Sequence, residues 1–510
     1  MASVMNSTVG TVHAGAARAV ARLPISQIDF GEFSRNLLRS FRQLHAEHGP
    51  IAAVDDRGQR VVFLFSPEYN QQVLSDTERF HARFFTIRGP KRSAQRRVTC
   101  GLLAMNGEQH RRNRRVVKEP FSLRTISTYG ETILRLTDDL LDSWNPGDVT
   151  DMAEDMRQYM LRVTSTLLFG VDDQAAACRL GDMIANWVQL NNEVGVGALV
   201  PNDKFLDGYE ELLNYAEVLE SEVLAMIRRR RESSTPGNDV LSILVRTYFE
   251  DGGLSDEEIV GQAAVLFAAA HMTTAHSLTW ILFLLAQHPA VMQELWQELS
   301  AESPERSARG FAATGSLPKG EELSLLDRVI KEGMRILPAS AYSQRMTTEA
   351  VQLGPLELAR GTGIVFTPVI VHHLAELYPE PERFLPDRWI NLRPSPYAYH
   401  PFGAGPRLCI GAPLATAIIR IALQRMLTRY RLTVVPGSKI GAHIESTMLF
   451  PTHGMPMEIH AADGNYRGSP VVGNIHELVD LDGGRPSHSG DGLSDVDNQD
   501  VSSPAARKPR

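Results

Sequence analysis

Cysteine is scarce in this chain: Cys100, Cys178 and Cys409 are the only three in 510 residues. That excludes a disulfide framework and suits a reducing compartment. Acidic residues are missing before Asp29, while Arg18 and Arg22 are present. The pattern is shared with organelle-targeting leaders, so organelle targeting stands as the alternative to a cytoplasmic location. The same stretch lacks the continuous apolar run of a signal peptide or a stable membrane anchor. Long uninterrupted hydrophobic runs are lacking elsewhere too. The most apolar one, Ala263–Ala286, is broken by His271, Thr273, Thr274, His276 and Ser277, and reads as a buried core helix. Basic charge is not in surplus either: a net charge of −8 argues against a nucleic-acid partner. What is present, 43% apolar and 22% charged residues, is the composition of a globular protein. The length admits one large domain or two.

Residues 1–25 read as a loosely ordered N-terminus and residues 464–510, rich in Gly, Ser, Pro and Asp, as a disordered tail. Between them, residues 26–463 form the folded part. Helical periodicity covers Phe30–His48, and VVFLFS (Val61–Ser66) reads as a strand. Helical runs follow near Ile126–Leu141, Met152–Leu168, Cys178–Asn191 and Tyr209–Arg231. Two glycines precede Ser255, and Glu258 stands three residues on, the spacing of a capping box. The helix it starts runs to about His288, where Pro289 stops it. After residue 340, short β-like pieces (Val351–Leu356, Gly363–Thr367) alternate with turns. A last helix spans Ala412–Tyr430, and strands near Ile444–Phe450 and Pro456–His460 close the fold. The fold class expected is mainly α with a smaller β-rich region.

The stretch HPFGAGPRLCIGAPLA, from His400 to Ala415, presents one cysteine between a glycine-rich turn and a helix start. A useful cysteine is a thiolate, and free N–H groups at a helix N-terminus lower its pKa. Glycines at 403, 405 and 411 let the backbone turn tightly beside something flat and bulky. Two other readings of Cys409 stay open: an inert buried thiol, and a hydrolase nucleophile with His400 as its base.

FGAGPRLCIG resembles the cysteine-loop motif of the cytochrome P-450 family through Phe402, Gly405, Arg407, Cys409 and Gly411. The resemblance implies that Cys409 is the proximal ligand of a haem b iron. It also implies that Phe402, Gly403, Arg407 and Gly411 belong to the haem-binding loop, and that the haem lies between this loop and the long distal helix. KEGMR is similar to the family's Glu-x-x-Arg segment and supplies Glu332 and Arg335. FLPDRW resembles a third segment and supplies Arg388, completing a buried charge network. The literal PERF at Pro381–Phe384 competes with it, but the register Phe384-x-Pro386-x-Arg388-Trp389 fits better. NGEQHRRNRRVVKEPFS resembles the helix that contacts a haem propionate, which implies that role for His110 and Arg114; Arg345 stands where another such arginine is placed. The remaining cations Arg111, Arg112 and Arg115 read as steering an acidic electron donor.

FAAAHMTTAHSLTW resembles the family's distal motif, with Ala269, Ala270, His271, Met272 and Thr273 in register. Thr273 keeps the position that hydrogen-bonds bound O2 and helps deliver protons; its structural alternative is a bond back to the preceding turn. Ala270 replaces a glycine and Met272 replaces an acid, so proton delivery falls to Thr273, Thr274, water or His271. The family plan draws substrate contacts from Phe84–Leu103, from Asn186–Leu206 and from the turn Met448, Leu449, Phe450, together with Ala269 and Ala270. These are mostly apolar and suit a lipophilic small molecule. The resemblance, over about residues 30–462, implies a monooxygenase that uses O2. Its electrons come from a separate ferredoxin- or flavodoxin-type donor with an NAD(P)H reductase. Two rivals remain: a peroxide-driven or O2-independent enzyme of the same fold, and a non-catalytic haem sensor.

Overall fold

The computed structural model describes residues 25–56, 58–83, 87–170, 173–197, 204–234, 237–247, 253–301 and 323–481. One long helix, Asp256–Gln287, organises the rest. Ser255 starts it with both bonds of a capping box: its hydroxyl accepts from Glu258 N (3.3 Å), and the Glu258 carboxylate accepts from Ser255 N (3.0 Å). Almost every side of this helix is buried, as its composition demands. Met152–Phe169 lies along it, and Ala412–Arg429 and Leu325–Ile336 pack from other sides. The helix meets the turn at Gly101 backbone to backbone. A Cβ on Gly101 would stand 2.4 Å from the Gly261 carbonyl oxygen, so no side chain fits between them.

The β-rich part is split among several small sheets. Six strands form one sheet in the order Ile25–Gln27, Ile51–Asp56, Gln59–Leu64, Gly363–Phe366, Ser343–Thr347, Phe80–Ala82. A second sheet joins Tyr430–Val434, Pro456–Ala461 and Val149–Asp151. Two stretches that read as single strands are hairpins. Val351–Leu353 pairs with Leu356–Leu358 around Gly354 at φ 54°, and Ala442–Glu445 pairs with Met448–Pro451 around Ser446 at φ 55°. The helix expected over Phe30–His48 is also broken. Asn36 leaves helical geometry, and its side chain accepts from Arg39 N to start Leu37–His48 afresh.

Residues 464–481, expected to open a disordered tail, are instead part of the fold. Val471, Ile475, Leu478 and Val479 are buried in the main core. Ile440 N donates to Val472 O (2.8 Å), and Asp480 N to Glu382 O (2.9 Å). Four apolar residues at helix-like and adjacent spacings outweigh the polar average of the segment. Residues 482–510 and residues 1–24 lie outside the described residues.

Candidate active site

The loop before Ala412–Arg429 is built by its glycines. Gly403 and Gly405 have φ of 70° and 71°, and a Cβ on Gly405 would stand 2.3 Å from the Leu74 carbonyl oxygen. Cys409 N donates to Phe402 O (2.9 Å), and Gly403 N to His400 O (2.9 Å), closing the loop into a tight arch. Gly411 caps the helix with no side chain of its own. Protein crowds Cys409, yet its surface is exposed. The two facts agree if the residue stands on the wall of an internal cleft. Burial pushes the thiol above its ordinary pKa, against the opposing pull of N–H donation from Gly411, the Arg114 guanidinium and N–H donation from Ala412. The helix start alone predicted a lowered value. Its donors are present, but desolvation wins.

A second accessible window lies on the long helix. Ala269 is exposed, and Ala268, Ala270, Met272 and Thr273 are half-buried, inside an element otherwise buried from Ile259 to Gln287. Thr273 Oγ1 donates to Ala269 O (2.7 Å), the back-bonded arrangement weighed above. Thr274 is buried beside it. His271 points elsewhere. Its Nε2 lies 3.1 Å from Arg157 O, its ring packs on Phe267, and burial brings its pKa down to about 4. It is therefore no part of this window, which corrects its reading as a proton relay.

Cations gather without anions. Arg345 is buried, and burial with the nearby Arg407 brings it down to about 9. Burial and Arg114 bring Arg407 down to about 10. His110 falls to about 4 through burial and the charges of Arg407, Arg114, Arg345 and Arg111. Among the described residues these guanidiniums find only neutral acceptors. Arg114 donates to Leu408 O (2.6 Å), Arg407 to Met105 O (2.8 Å) and Arg345 to Gln344 O (2.8 Å). The other cations of the basic helix Gly107–Val117 are less free than the sequence suggested. Arg111 pairs with Glu78 and Glu108, and Arg112 with Glu258, leaving Arg115 exposed.

Glu332, Arg335 and Arg388 come together. The Glu332 carboxylate accepts from Arg335 Nε and Nη2, Arg388 Nε and Trp389 Nε1, each at 2.9 Å, and from Leu385 N at 3.0 Å. Arg383 of the literal PERF instead pairs with Glu380 at the surface. Arg335 Nη1 also donates to His372 O (2.8 Å), and His372 Nε2 accepts from His400 N (3.1 Å). The network thus reaches the first residue of the cysteine loop. Sequence reasoning named Trp389 only as part of the motif and missed its bond to Glu332, and it missed His372 altogether.

Around the distal window the expected pocket residues divide. Met448 and Phe450 are half-buried on one face of their strand, whereas Leu449 is fully buried on the other. Leu449 therefore belongs to the core, not to the pocket wall. The two remaining contact regions touch each other. Gln95 donates to Ile87 O (2.7 Å) and accepts from Trp187 Nε1 (2.8 Å), and Asn191 Oδ1 accepts from Ile87 N (3.2 Å). Arg97, within the first of these regions, forms a two-pronged ion pair with Glu220. Residues 84–86 and 198–203 of these regions lie outside the described residues. A shallow surface depression lined by Asp207, Glu210, Glu211, Asn214, Tyr215 and Val218 shares none of the site residues.

A family profile described as Cytochrome P450 matches residues 23–458, most of the chain. The chain belongs to the cytochrome P450 family. The cyclooctat-9-en-7-ol 5-monooxygenase of Streptomyces melanosporofaciens is 30% identical over 77% of this chain and 84% of its own length. The pentalenene oxygenase of Streptomyces avermitilis is 30% identical over 76% and 84%. A retinoic acid-bound cyanobacterial CYP120A1 superposes with a TM-score of 0.70 at 22% identity, covering 86% of this chain and 100% of that one. This P450 is accordingly an oxygen-incorporating oxidoreductase with a haem-iron cofactor, and it draws on a redox partner. Its residues suit a flat dianion that carries a metal: an accessible thiol on one wall, a small-residue window on a buried helix, and three guanidiniums, one buried and two half-buried, with no carboxylate partner among the described residues. Among the described residues, only Asp256–Gln287 is long and apolar enough to cross a membrane, and 72% of its most apolar window is buried inside the fold.

Proposed function

We propose that this P450 inserts one atom of O2 into a lipophilic small molecule, by hydroxylation or epoxidation, and that the Cys409 sulfur would hold the iron of haem b. The observation that carries the reading is the accessible Cys409 thiol, backed by helix N–H donors and set near guanidiniums that have no carboxylate partner among the described residues. His110, Arg114, Arg345 and Arg407 would hold the two propionates, whose charge would relieve their mutual repulsion. Phe402, Gly403 and Gly411 shape the loop against the ring. When bound, the haem supplies the redox and oxygen chemistry.

The chain's own residues do the rest. Ala269, Ala270, Met448 and Phe450 present an apolar wall that excludes water from the reacting centre. Thr273 holds a proton on Oγ1, parked on the Ala269 carbonyl in this conformation, and rotation about its Cα–Cβ bond would present it to the accessible window. Thr274 is the neighbouring hydroxyl in this relay. The substrate we favour is an unsaturated hydrocarbon or its alcohol. The apolar wall supports this, and so do relatives named for an alkenol and an alkene. The electrons come from a ferredoxin- or flavodoxin-type donor with its NAD(P)H reductase, and the protein works in the cytoplasm, in keeping with three free cysteines.

Met272 favours one alternative. A thioether donates no proton, and His271 is turned away, so a peroxide-driven enzyme of the same fold is the second reading. An absorption spectrum of the dithionite-reduced protein with carbon monoxide tests the first claim. A strongly red-shifted Soret band is expected; a band at the histidine-ligated position overturns the Cys409 assignment. Turnover with hydrogen peroxide but none with NAD(P)H, reductase and ferredoxin selects the second reading.

A further inference from the structure

Beside the distal window, one buried ring nitrogen has no hydrogen-bond partner among the described residues. His276 is 5% exposed, and its Nδ1 has no hydrogen-bond partner among the described residues. Its place on the long helix is informative. Ala269, Thr273, His276 and Trp280 follow the spacing of one helical face. Ala269 and Thr273 form the accessible window, and Trp280 Nε1 donates to Leu449 O (3.0 Å), fastening the strand Met448–Pro451 to that same face. His276 lies between the two. Its ring meets the Phe450 ring edge to face, with centroids 4.3 Å apart. Phe450 shares the half-buried face of its strand with Met448, the wall assigned to substrate. Beyond Phe450 stands His443, its ring 5.6 Å from the phenyl and its Nε2 3.6 Å from Glu445.

A buried ring nitrogen left unpaired is costly, and native proteins seldom keep one without a use. Burial brings His276 down to about 4, so at neutral pH the ring is uncharged and offers one N–H and one lone pair. His271, five residues earlier and on another face, has spent its own nitrogen on Arg157 O. The turn around His276 is thus the polar point of an otherwise apolar wall.

We propose that His276 is a specificity-determining residue whose Nδ1 hydrogen-bonds an oxygen on the substrate, ranking an alcohol above the hydrocarbon of the same skeleton. This deepens the monooxygenase reading and rests on it. The test uses equilibrium dialysis of two matched pairs, cedrane with cedrol and menthane with menthol, against the haem-loaded full chain. Wild type should bind the alcohol of a pair about tenfold more tightly, the size of one net hydrogen bond. His276→Phe should reduce that preference to about twofold or less while keeping the hydrocarbon's affinity. His276→Leu serves if the larger ring does not fold. His276→Asn, whose amide falls where Nδ1 was, should restore the preference. An alcohol preference that survives in the Phe and Leu variants overturns the proposal. So does a wild type that ranks the members of both pairs equally or binds none of them. The carbon monoxide spectrum of each protein is read separately: a wild type without the thiolate band fails the haem reading, whatever the dialysis returns.

Discussion

At the scale of single residues, the distal helix poses a question about protons. Met272 stands where the family motif has an acid, and His271 is bonded to another helix, so the hydroxyl of Thr273 is the nearest donor on the accessible window. Its back-bond to Ala269 O and the bond from Ser277 Oγ to Thr273 O (2.9 Å) both sit in this turn, where such bonds loosen a helix. A loosened turn lets the hydroxyl change acceptors without breaking the fold. Thr273→Ala should therefore keep O2 consumption while product per O2 consumed falls by about tenfold or more, the order of a lost positioned proton donor. Thr273→Ser should recover most of the coupling. Parallel measurement of O2 uptake, peroxide release and product decides it: coupling unchanged in the Ala variant removes Thr273 from the relay.

At the scale of elements, the Glu332 network is the joint between the helix Leu325–Ile336, the segment carrying Arg388 and Trp389, and the cysteine loop reached through His372. Glu332 and Arg335 have no exposed side-chain surface. Glu332→Gln leaves two guanidiniums buried against a neutral amide, and breaking one partner of a buried ionic network costs about 3–5 kcal/mol. The variant should melt well below wild type and be purified with less haem per chain. Equal melting temperatures and haem content would show that Arg335 and Arg388 are held by their backbone acceptors alone. The contrast between elements also shows what a sequence can convey. Cys409 with its glycines, Glu332 with Arg335, and Ser255 with Glu258 are short-range patterns, and the chemistry dictates their spacing. The joints between distant segments have no such pattern. Gln262 accepts from Leu102 N (3.0 Å) and donates to Asn113 (3.1 Å), tying the basic helix to the long one. Neither amide is distinguishable in the sequence from a surface residue. The hairpin at Ser446 was hidden for a related reason: alternation marks strands, but a non-glycine turn at positive φ leaves no trace in hydrophobicity.

At the scale of the whole molecule, histidine burial sets a limit that none of these sites states alone. His271, His276 and His400 are brought down to about 4, His373 to about 3, and His372 well below its ordinary value, burial being the first cause in each. The unfolded chain binds a proton at each of these rings near pH 6.5, whereas the folded chain refuses it until about pH 4 or below. Between those values the unfolded state holds more protons, so stability rises with pH and is lost as pH falls. Each such ring contributes a slope of up to about 1.4 kcal/mol per pH unit across that window. Several of them titrating together outweigh the gains that exposed carboxylate pairs keep over the same range. The protein should hold a steady melting temperature from pH 8 to about pH 6.5 and lose stability steeply below it, well before the carboxylates titrate. Melting curves of the haem-loaded protein at half-unit pH steps test this. A melting temperature that stays level down to about pH 5 would mean that these rings bind protons equally well folded and unfolded, against the environment that surrounds each of them. His276→Asn separates one contributor from the rest: it should flatten the curve by one ring's share while the onset stays near pH 6.5.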